Sequence, residues 1–273
     1  MTVGEAIRAA AEALAAVSDT ARLDAELLMA HMFGTSRSEL LLRHMRDPEP
    51  PGFAALVGRR AGHEPVAYIT GSQEFYGLPF IVTPATLIPR GDSETLVEAA
   101  LAERPDAARV LDLGTGSGAL LLAVLACIRG AQGVGIDRSA QAVAVAARNA
   151  EALGLRPQAQ FREGDWHAPG WAADLGTFDL ILCNPPYVES DAALDAQVRD
   201  FEPASALFAG PEGLDDYRVL IPQLRALMNA GGLAVLEIGA NQADAVSALG
   251  HAAGFATDLR RDLAGRARAL LLT

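Results

Sequence analysis

Short apolar runs start near residues 109, 133, 159 and 178, and helical stretches separate the first three. Runs of this length, bounded by glycine and polar residues and alternating with helices, fit buried parallel strands in an α/β sheet. Each run ends in a group that can bind a ligand: Asp112 and a glycine loop, Asp137, Asp165-Trp166 and Asn184. Open sheets of this kind bind ligands beyond the carboxyl ends of their strands, so the pattern fixes where the site lies. Ser139 or Arg138 opens a helix through Ala142, Val143, Val145 and Ala146 that stops before Gly154. Gly231–Gly239 reads as a fifth strand, followed by a helix from Asn241 to about Ala253. Segments 256–259 and 267–272 read as a closing hairpin, with Asp258, Arg260, Arg261, Asp262 and Arg266 forming a solvated edge.

The first run breaks into Asp112-Leu-Gly114-Thr115-Gly116-Ser117-Gly118 before a helical stretch from Ala119 to Ile128. Alternate glycines allow positive φ and close approach of backbone N–H groups to a ligand. A dinucleotide site shares this feature, but its Gly-x-Gly-x-x-Gly spacing is missing here. Asp137 follows Gly118 by 19 positions, where a carboxylate can accept both hydroxyls of a ribose. Asp165 and Trp166 offer an acceptor for an adenine amino group and a face for its ring. Asp112 has two readings, a counter-charge for a cationic ligand or a cap on neighbouring loop amides.

The fourth run, Phe178–Cys183, ends in Asn184-Pro185-Pro186-Tyr187. The lone pair of a planar amide or aromatic NH2 is delocalised, so such a nitrogen needs help to attack an electrophile. Asn184 Oδ1 and the Pro185 carbonyl can each accept one of its N–H groups, which aims the lone pair out of the plane. Pro185 and Pro186 lack N–H groups and stiffen the turn, and the Tyr187 ring can lie flat on the acceptor. A turn that merely closes a buried strand has the same local appearance.

The order of these motifs is similar to that of class I S-adenosylmethionine-dependent methyltransferases acting on amino nitrogens. Further segments, Glu64-Pro-Val-Ala-Tyr-Ile-Thr-Gly71, Leu87-Ile-Pro-Arg90, Glu202-Pro203, Gly213-Leu214 with Tyr217-Arg218, and Asp262–Arg266, resemble the bacterial PrmC (HemK) family. The resemblance implies an α/β, Rossmann-like class I methyltransferase fold with a mixed, mostly parallel sheet, plus a small amino-terminal helical bundle. It implies S-adenosyl-L-methionine as cofactor and, as acceptor, the glutamine amide in the Gly-Gly-Gln loop of class I peptide-chain release factors. Carried over by motif, Asp112, Gly114, Thr115, Gly116, Ser117, Gly118, Asp137, Asp165, Trp166 and Asn184 hold the cofactor. Asn184, Pro185, Pro186 and Tyr187 hold the amide. The sequence departs from the family at Pro89-Arg90-Gly91, which usually reads Pro-Arg-Pro, and at Ala209-Gly210-Pro211-Glu212-Gly213, where a double glycine is usual. The rival readings are an adenine N6 or RNA guanine N2 methyltransferase, which needs base flipping and a basic groove, and a noncatalytic protein-binding module.

With 273 residues the chain has room for two domains. Residues 1–70 carry only helical periodicity, with capping boxes at Thr2–Glu5 and Ser36–Glu39 and a stop at Gly34, and are expected to form a substrate-docking bundle. Residues 71–90 read as a hairpin and linker, and Asp92 or Ser93 caps the first helix of a methyltransferase domain at 91–273. Arg90 and Glu94 are placed either at the cofactor pocket or as a helix-start ion pair. The net charge is −12, and all 22 basic residues are Arg. That balance disfavours nonspecific nucleic-acid binding, though a local Arg patch stays compatible with it. Cys127 and Cys183 lie in apolar runs and read as buried thiols, and no His or Cys spacing fits a metal site. No signal peptide or membrane span is visible, so a cytoplasmic location is expected.

Overall fold

Side chains alternate across a strand, and this period-two rule assigns each residue of the central strands to one of two apolar layers. Val110, Leu180, Leu182, Leu233, Val235 and Leu271 enter one core cluster, while Leu111, Leu113, Ile181, Cys183, Ala234, Leu236 and Leu270 enter the other. A sheet buried on both faces needs such continuous apolar strands. The computed structural model describes residues 1–273.

The strands are β1 (Ser72–Phe75), β2 (Leu78–Ile81), β3 (Arg109–Leu113), β4 (Gln132–Asp137), β5 (Ala159–Glu163), β6 (Phe178–Cys183), β7 (Met228–Glu237), β8 (Thr257–Arg261) and β9 (Ala267–Leu272). Seven form one sheet in the order β5-β4-β3-β6-β7-β9-β8. The five strands from β5 to β7 in that order are mutually parallel, and β9 runs antiparallel to both β7 and β8. Helices Glu94–Glu103, Ala119–Cys127 and Ala140–Ala152 supply one apolar layer, and Asp215–Leu227 with Ala243–Ala252 the other. The chain winds outward from β3 to β4 and β5, then returns to lay β6 on the other side of β3. Between the carboxyl ends of β3 and β6 the sheet therefore has its topological switch point.

β1 and β2 form a hairpin whose turn residues, Tyr76 and Gly77, both have positive φ. That is the geometry of a tight two-residue hairpin turn. Glu94 accepts from Tyr76 N at 2.9 Å, so the acid serves this turn and not Arg90. Asn149 ties the hairpin to the glycine loop: its Nδ2 donates to Ile81 O and Ser117 O, and its Oδ1 accepts from Ile81 N.

By its contacts the chain divides into two compact units, Met1–Ser72 with Leu194–Phe201, and Gln73–Ala193 with Glu202–Thr273. The first unit is built from Val3–Leu14, Ala21–Phe33, Phe53–Ala61 and shorter helical turns around a core of Val3, Ile7, Leu28, Met29, Leu40 and Phe53. Thr2 and Glu5 complete both arms of a capping box, and Gly34 ends the second helix in the left-handed conformation. Its one fully buried ion pair joins Arg60 to Asp24 at 2.7 Å.

Several local expectations are corrected. Ser36 caps Glu39 N, but the Glu39 carboxylate goes to Thr35 and Arg43, so only one arm of that box forms. Neither Asp92 nor Ser93 caps the following helix; they lie in a 3-10 turn and bind Arg268 and Glu237 instead. Cys127, the last residue of its helix, is exposed; Cys183 is buried. Asp262 is buried, accepting the N–H groups of Ala264 and Arg266 and facing Arg268, so it organises the β8–β9 turn and is not part of a solvated edge.

Candidate active site

Gly114, Gly116 and Gly118 all have positive φ, which lets the loop after β3 fold back toward β4. Gly114 N and Thr115 N both donate to Ile136 O at 2.9 Å, and Gly118 opens helix Ala119–Cys127. Above this loop lies a cavity of about 310 Å³, lined by residues from the carboxyl ends of β3, β4, β5 and β6 and from segments 84–93 and 203–206. A Cβ added at Gly116 would meet nothing closer than 4.0 Å and would occupy cavity space, whereas at Gly114 it would lie 3.3 Å from the Trp166 ring. The loop therefore offers a cradle that only bare backbone leaves open.

Of the residues singled out by sequence, Gly114, Thr115, Gly116, Ser117, Asp137, Asp165, Trp166, Asn184 and Pro186 line this cavity. Asp137 accepts from Gly116 N and Ser139 N, both at 2.9 Å, through different oxygens. Each oxygen keeps a lone pair for a ligand hydroxyl. Burial pushes its carboxyl up, against those two backbone donors. Asp165 Oδ1 accepts from His167 N at 2.9 Å.

Asp112, Gly118, Pro185 and Tyr187 lie outside the lining. Asp112 is buried beneath the loop, where Thr115 Oγ1 donates to its Oδ2 at 2.6 Å, and its Oδ1 has no partner. Burial raises its pKa to about 7, opposed by the Thr115 hydroxyl and reinforced by the Asp137 carboxylate. Asp112 thus holds the side chain of a loop residue, closer to the loop-organising reading than to direct lining. Tyr187 also differs from the simplest expectation. Its hydroxyl donates to Glu237 Oε1 at 3.1 Å and its ring packs on the core layer under β6.

The Asn184–Tyr187 turn is fixed from the side away from the cavity. Tyr187 N and Val188 N donate to Leu207 O, and Gln242 Nε2 donates to Tyr187 O at 3.0 Å. Gly213 allows this approach, because a Cβ there would fall 2.2 Å from Tyr187 O. Neither Asn184 Oδ1 nor Pro185 O accepts a hydrogen bond from the chain. Two acceptors thus remain available at the end of β6.

Arg90 lines this cavity, the first of its two expected places, and pairs with the buried Glu202 rather than with Glu94; Glu202 also accepts from Ile88 N at 3.1 Å. Sequence reading missed further neighbours of the cavity. Asp216 lines it too, accepting from Trp166 Nε1 at 2.9 Å and His167 Nε2 at 3.0 Å. Arg138 donates to Ser205 O at 2.9 Å. The partners in each pair stand between 49 and 114 positions apart, so no local spacing announces them. The resemblance segments containing Glu202 and Gly213-Leu214 were the only signal.

Residues 5–71 match the family model described as PrmC N-terminal domain, and residues 105–241 match the one described as Methyltransferase domain. The release factor glutamine methyltransferase of Rhodospirillum rubrum is 44% identical over 257 residues, spanning 92% of this chain and 78% of the relative. That of Cereibacter sphaeroides is 44% identical over 276 residues, 98% of this chain and 97% of the relative. The Salmonella typhimurium protein of the same name is 40% identical, over 92% of this chain and 91% of the relative.

Proposed function

The chain belongs to the release factor glutamine methyltransferase family, and from that premise we propose how its own residues serve the reaction. The protein transfers methyl from S-adenosyl-L-methionine to the side-chain amide of a release-factor glutamine. The acceptor we assign is the glutamine of the Gly-Gly-Gln loop in class I release factors, modified at its amide nitrogen. The single observation that carries the residue assignment is the pair of unengaged acceptors, Asn184 Oδ1 and Pro185 O, at the strand end beside the glycine loop.

The cofactor supplies a methyl group already activated as a sulfonium, so the chain has alignment and electrostatics to provide. The bare backbone of Gly114–Gly118, the Asp137 carboxylate and the Trp166 ring fit its amino-acid, ribose and adenine parts in chemistry. Asn184 and Pro185 accept the two amide N–H groups and turn the nitrogen lone pair toward the methyl. The stiff Pro185-Pro186 turn, anchored through Tyr187 and Val188, keeps these acceptors fixed. Formation of the new C–N bond breaks the methyl–sulfur bond and leaves S-adenosyl-L-homocysteine. The alkylated nitrogen, now acidic, gives its surplus proton to a neighbouring oxygen or water, so a strong base in advance is not required.

We assign the bundle of residues 1–70 to docking of the release factor and residues 71–90 to the link into the methyltransferase domain, 91–273. The acidic balance, −12, argues against a nucleic-acid acceptor, and a translation-factor substrate argues for the cytoplasm. No helix is long and apolar enough to cross a membrane.

The test is transfer of labelled methyl to purified release factor, with DNA and ribosomal RNA offered in parallel at low salt. Label is expected on the release factor alone. Changing the target glutamine to Glu removes both N–H donors and sets a carboxylate against two oxygens, so labelling should vanish. Labelled oligonucleotide, or an undiminished Glu acceptor, overturns the acceptor assignment.

A further inference from the structure

Glu237, the last residue of β7, is 2% exposed and lies one strand over from the Asn184 turn, since Leu236 pairs with Cys183. Both of its carboxylate oxygens accept hydrogen bonds. Tyr187 Oη donates to Oε1 at 3.1 Å, and Ser93 Oγ donates to Oε2. Its main-chain carbonyl accepts from the buried Tyr217 hydroxyl at 2.6 Å, which fixes the strand end itself. Arg268 faces this carboxylate and is held in place by Asp92 and Asp262 at 3.0 and 3.3 Å. Both oxygens are hydrogen-bonded and the Arg268 charge favours the carboxylate, although burial outweighs them and pushes the carboxyl up.

The two hydroxyls belong to different parts of the site. Ser93 lines the cavity from segment 84–93, whereas Tyr187 ends the turn that carries Asn184 and Pro185. A single side chain therefore joins the wall of the cofactor cavity to the turn assigned to the acceptor amide. We propose that Glu237 is a positioning residue for methyl transfer, fixing the distance between these two parts through the Tyr187 and Ser93 hydroxyls. The proposal rests on the assignment of Asn184–Tyr187 to the acceptor. Glu237 touches neither reacting group; it acts through Tyr187. Loss of such a support lets the turn shift, and a displacement of about 1 Å in a reacting pair can cost about 100-fold in rate.

Glu237→Gln preserves the shape and can accept from one hydroxyl while donating to the other. Glu237→Ala removes both links. With the full chain, Glu237→Ala is expected to lower kcat about 100-fold while the Kd for S-adenosyl-L-homocysteine, measured by calorimetry, stays within about threefold. Glu237→Gln should recover most of that loss. If Glu237 works through the Tyr187 hydroxyl, Tyr187→Phe should reproduce part of the loss, and the double variant Tyr187→Phe/Glu237→Ala should lose less than the product of the single effects. Multiplicative losses in the double variant, an unchanged kcat in Glu237→Ala, or a Kd that rises in step with the fall in kcat overturns the proposal. Should Glu237→Ala fail to fold, Tyr187→Phe decides: a lowered kcat with an unchanged Kd supports the proposal, and an unchanged kcat overturns it. Failure of the acceptor assignment shows separately, as an Asn184→Ala enzyme with undiminished turnover.

Discussion

Both oxygens of Asp137 already accept a backbone N–H, yet the carboxylate lines the cavity and retains a lone pair on each oxygen. Those backbone bonds fix its orientation before a ligand arrives, so little ordering remains for binding to accomplish. Asp137→Ala should weaken S-adenosyl-L-homocysteine binding by about 1–3 kcal/mol in calorimetry, the scale of a lost charge-assisted hydrogen bond. Unchanged affinity would remove Asp137 from the cofactor site. Asp112 makes a different statement. Its pKa is raised to about 7 by burial, while an unfolded aspartate titrates near 3.9. Between these values the folded chain binds the extra proton, so the group opposes folding increasingly as pH climbs from about 4 to about 7 and by a constant amount above that. Asp112→Asn, measured by urea unfolding between pH 5 and 8, should therefore show a shallower decline in stability than the parent. The buried Asp137 and Glu237, also raised, contribute to the parent's decline in the same direction and persist in the variant.

At the scale of elements, β4 shows how neighbours decide what a strand can contain. Glycine is a poor strand residue, yet β4 includes Gly133 and Gly135. The reason is the layer above: a Cβ at Gly133 would sit 2.6 Å from Leu121 Cδ1, and one at Gly135 would sit 2.6 Å from Phe161 and 2.8 Å from Thr115 Oγ1. Gly135→Ala is accordingly expected to cost about 1–3 kcal/mol in urea unfolding through overpacking, and to weaken cofactor binding because Thr115 belongs to the loop. Wild-type stability in that variant would mean that the Phe161 ring yields freely. The strand itself was legible, because short apolar runs and the acid at their ends are local features. So were the Ser139 cap, the Gly34 stop and the closing hairpin. What local reading could not see was long-range partnership. Asp92 and Ser93 stand where a cap belongs, but Arg268 and Glu237, more than 140 positions away, hold them. Tyr187 was expected against the acceptor because aromatic rings stack, and nothing nearby in the chain reveals that its hydroxyl goes to Glu237. The segment 194–201 likewise groups with residues 1–72, a relation that its own four-residue helix does not encode.

For the molecule as a whole, the net charge of −12 disfavours nonspecific electrostatic capture of a polyanion, so shape and apolar contact are the terms to test in docking. The amino-terminal unit carries one candidate for such contact. Its core buries Leu40 completely, yet Leu42, two positions on in the same helical turn, is 83% exposed between Leu41 and Arg43. A large aliphatic side chain left in water gains most when a partner covers it. If the bundle docks the release factor there, Leu42→Asp should raise KM for the release factor about tenfold, a loss of about 1.4 kcal/mol, and leave both kcat and cofactor affinity unchanged. Leu263, in the β8–β9 turn of the other unit, is also fully exposed and serves as the control. Leu263→Asp adds the same charge to the same chain, so any effect of overall charge on association appears in both variants, whereas a docking contact appears only in the first. Equal KM values for Leu42→Asp, Leu263→Asp and the parent would remove Leu42 from the docking surface.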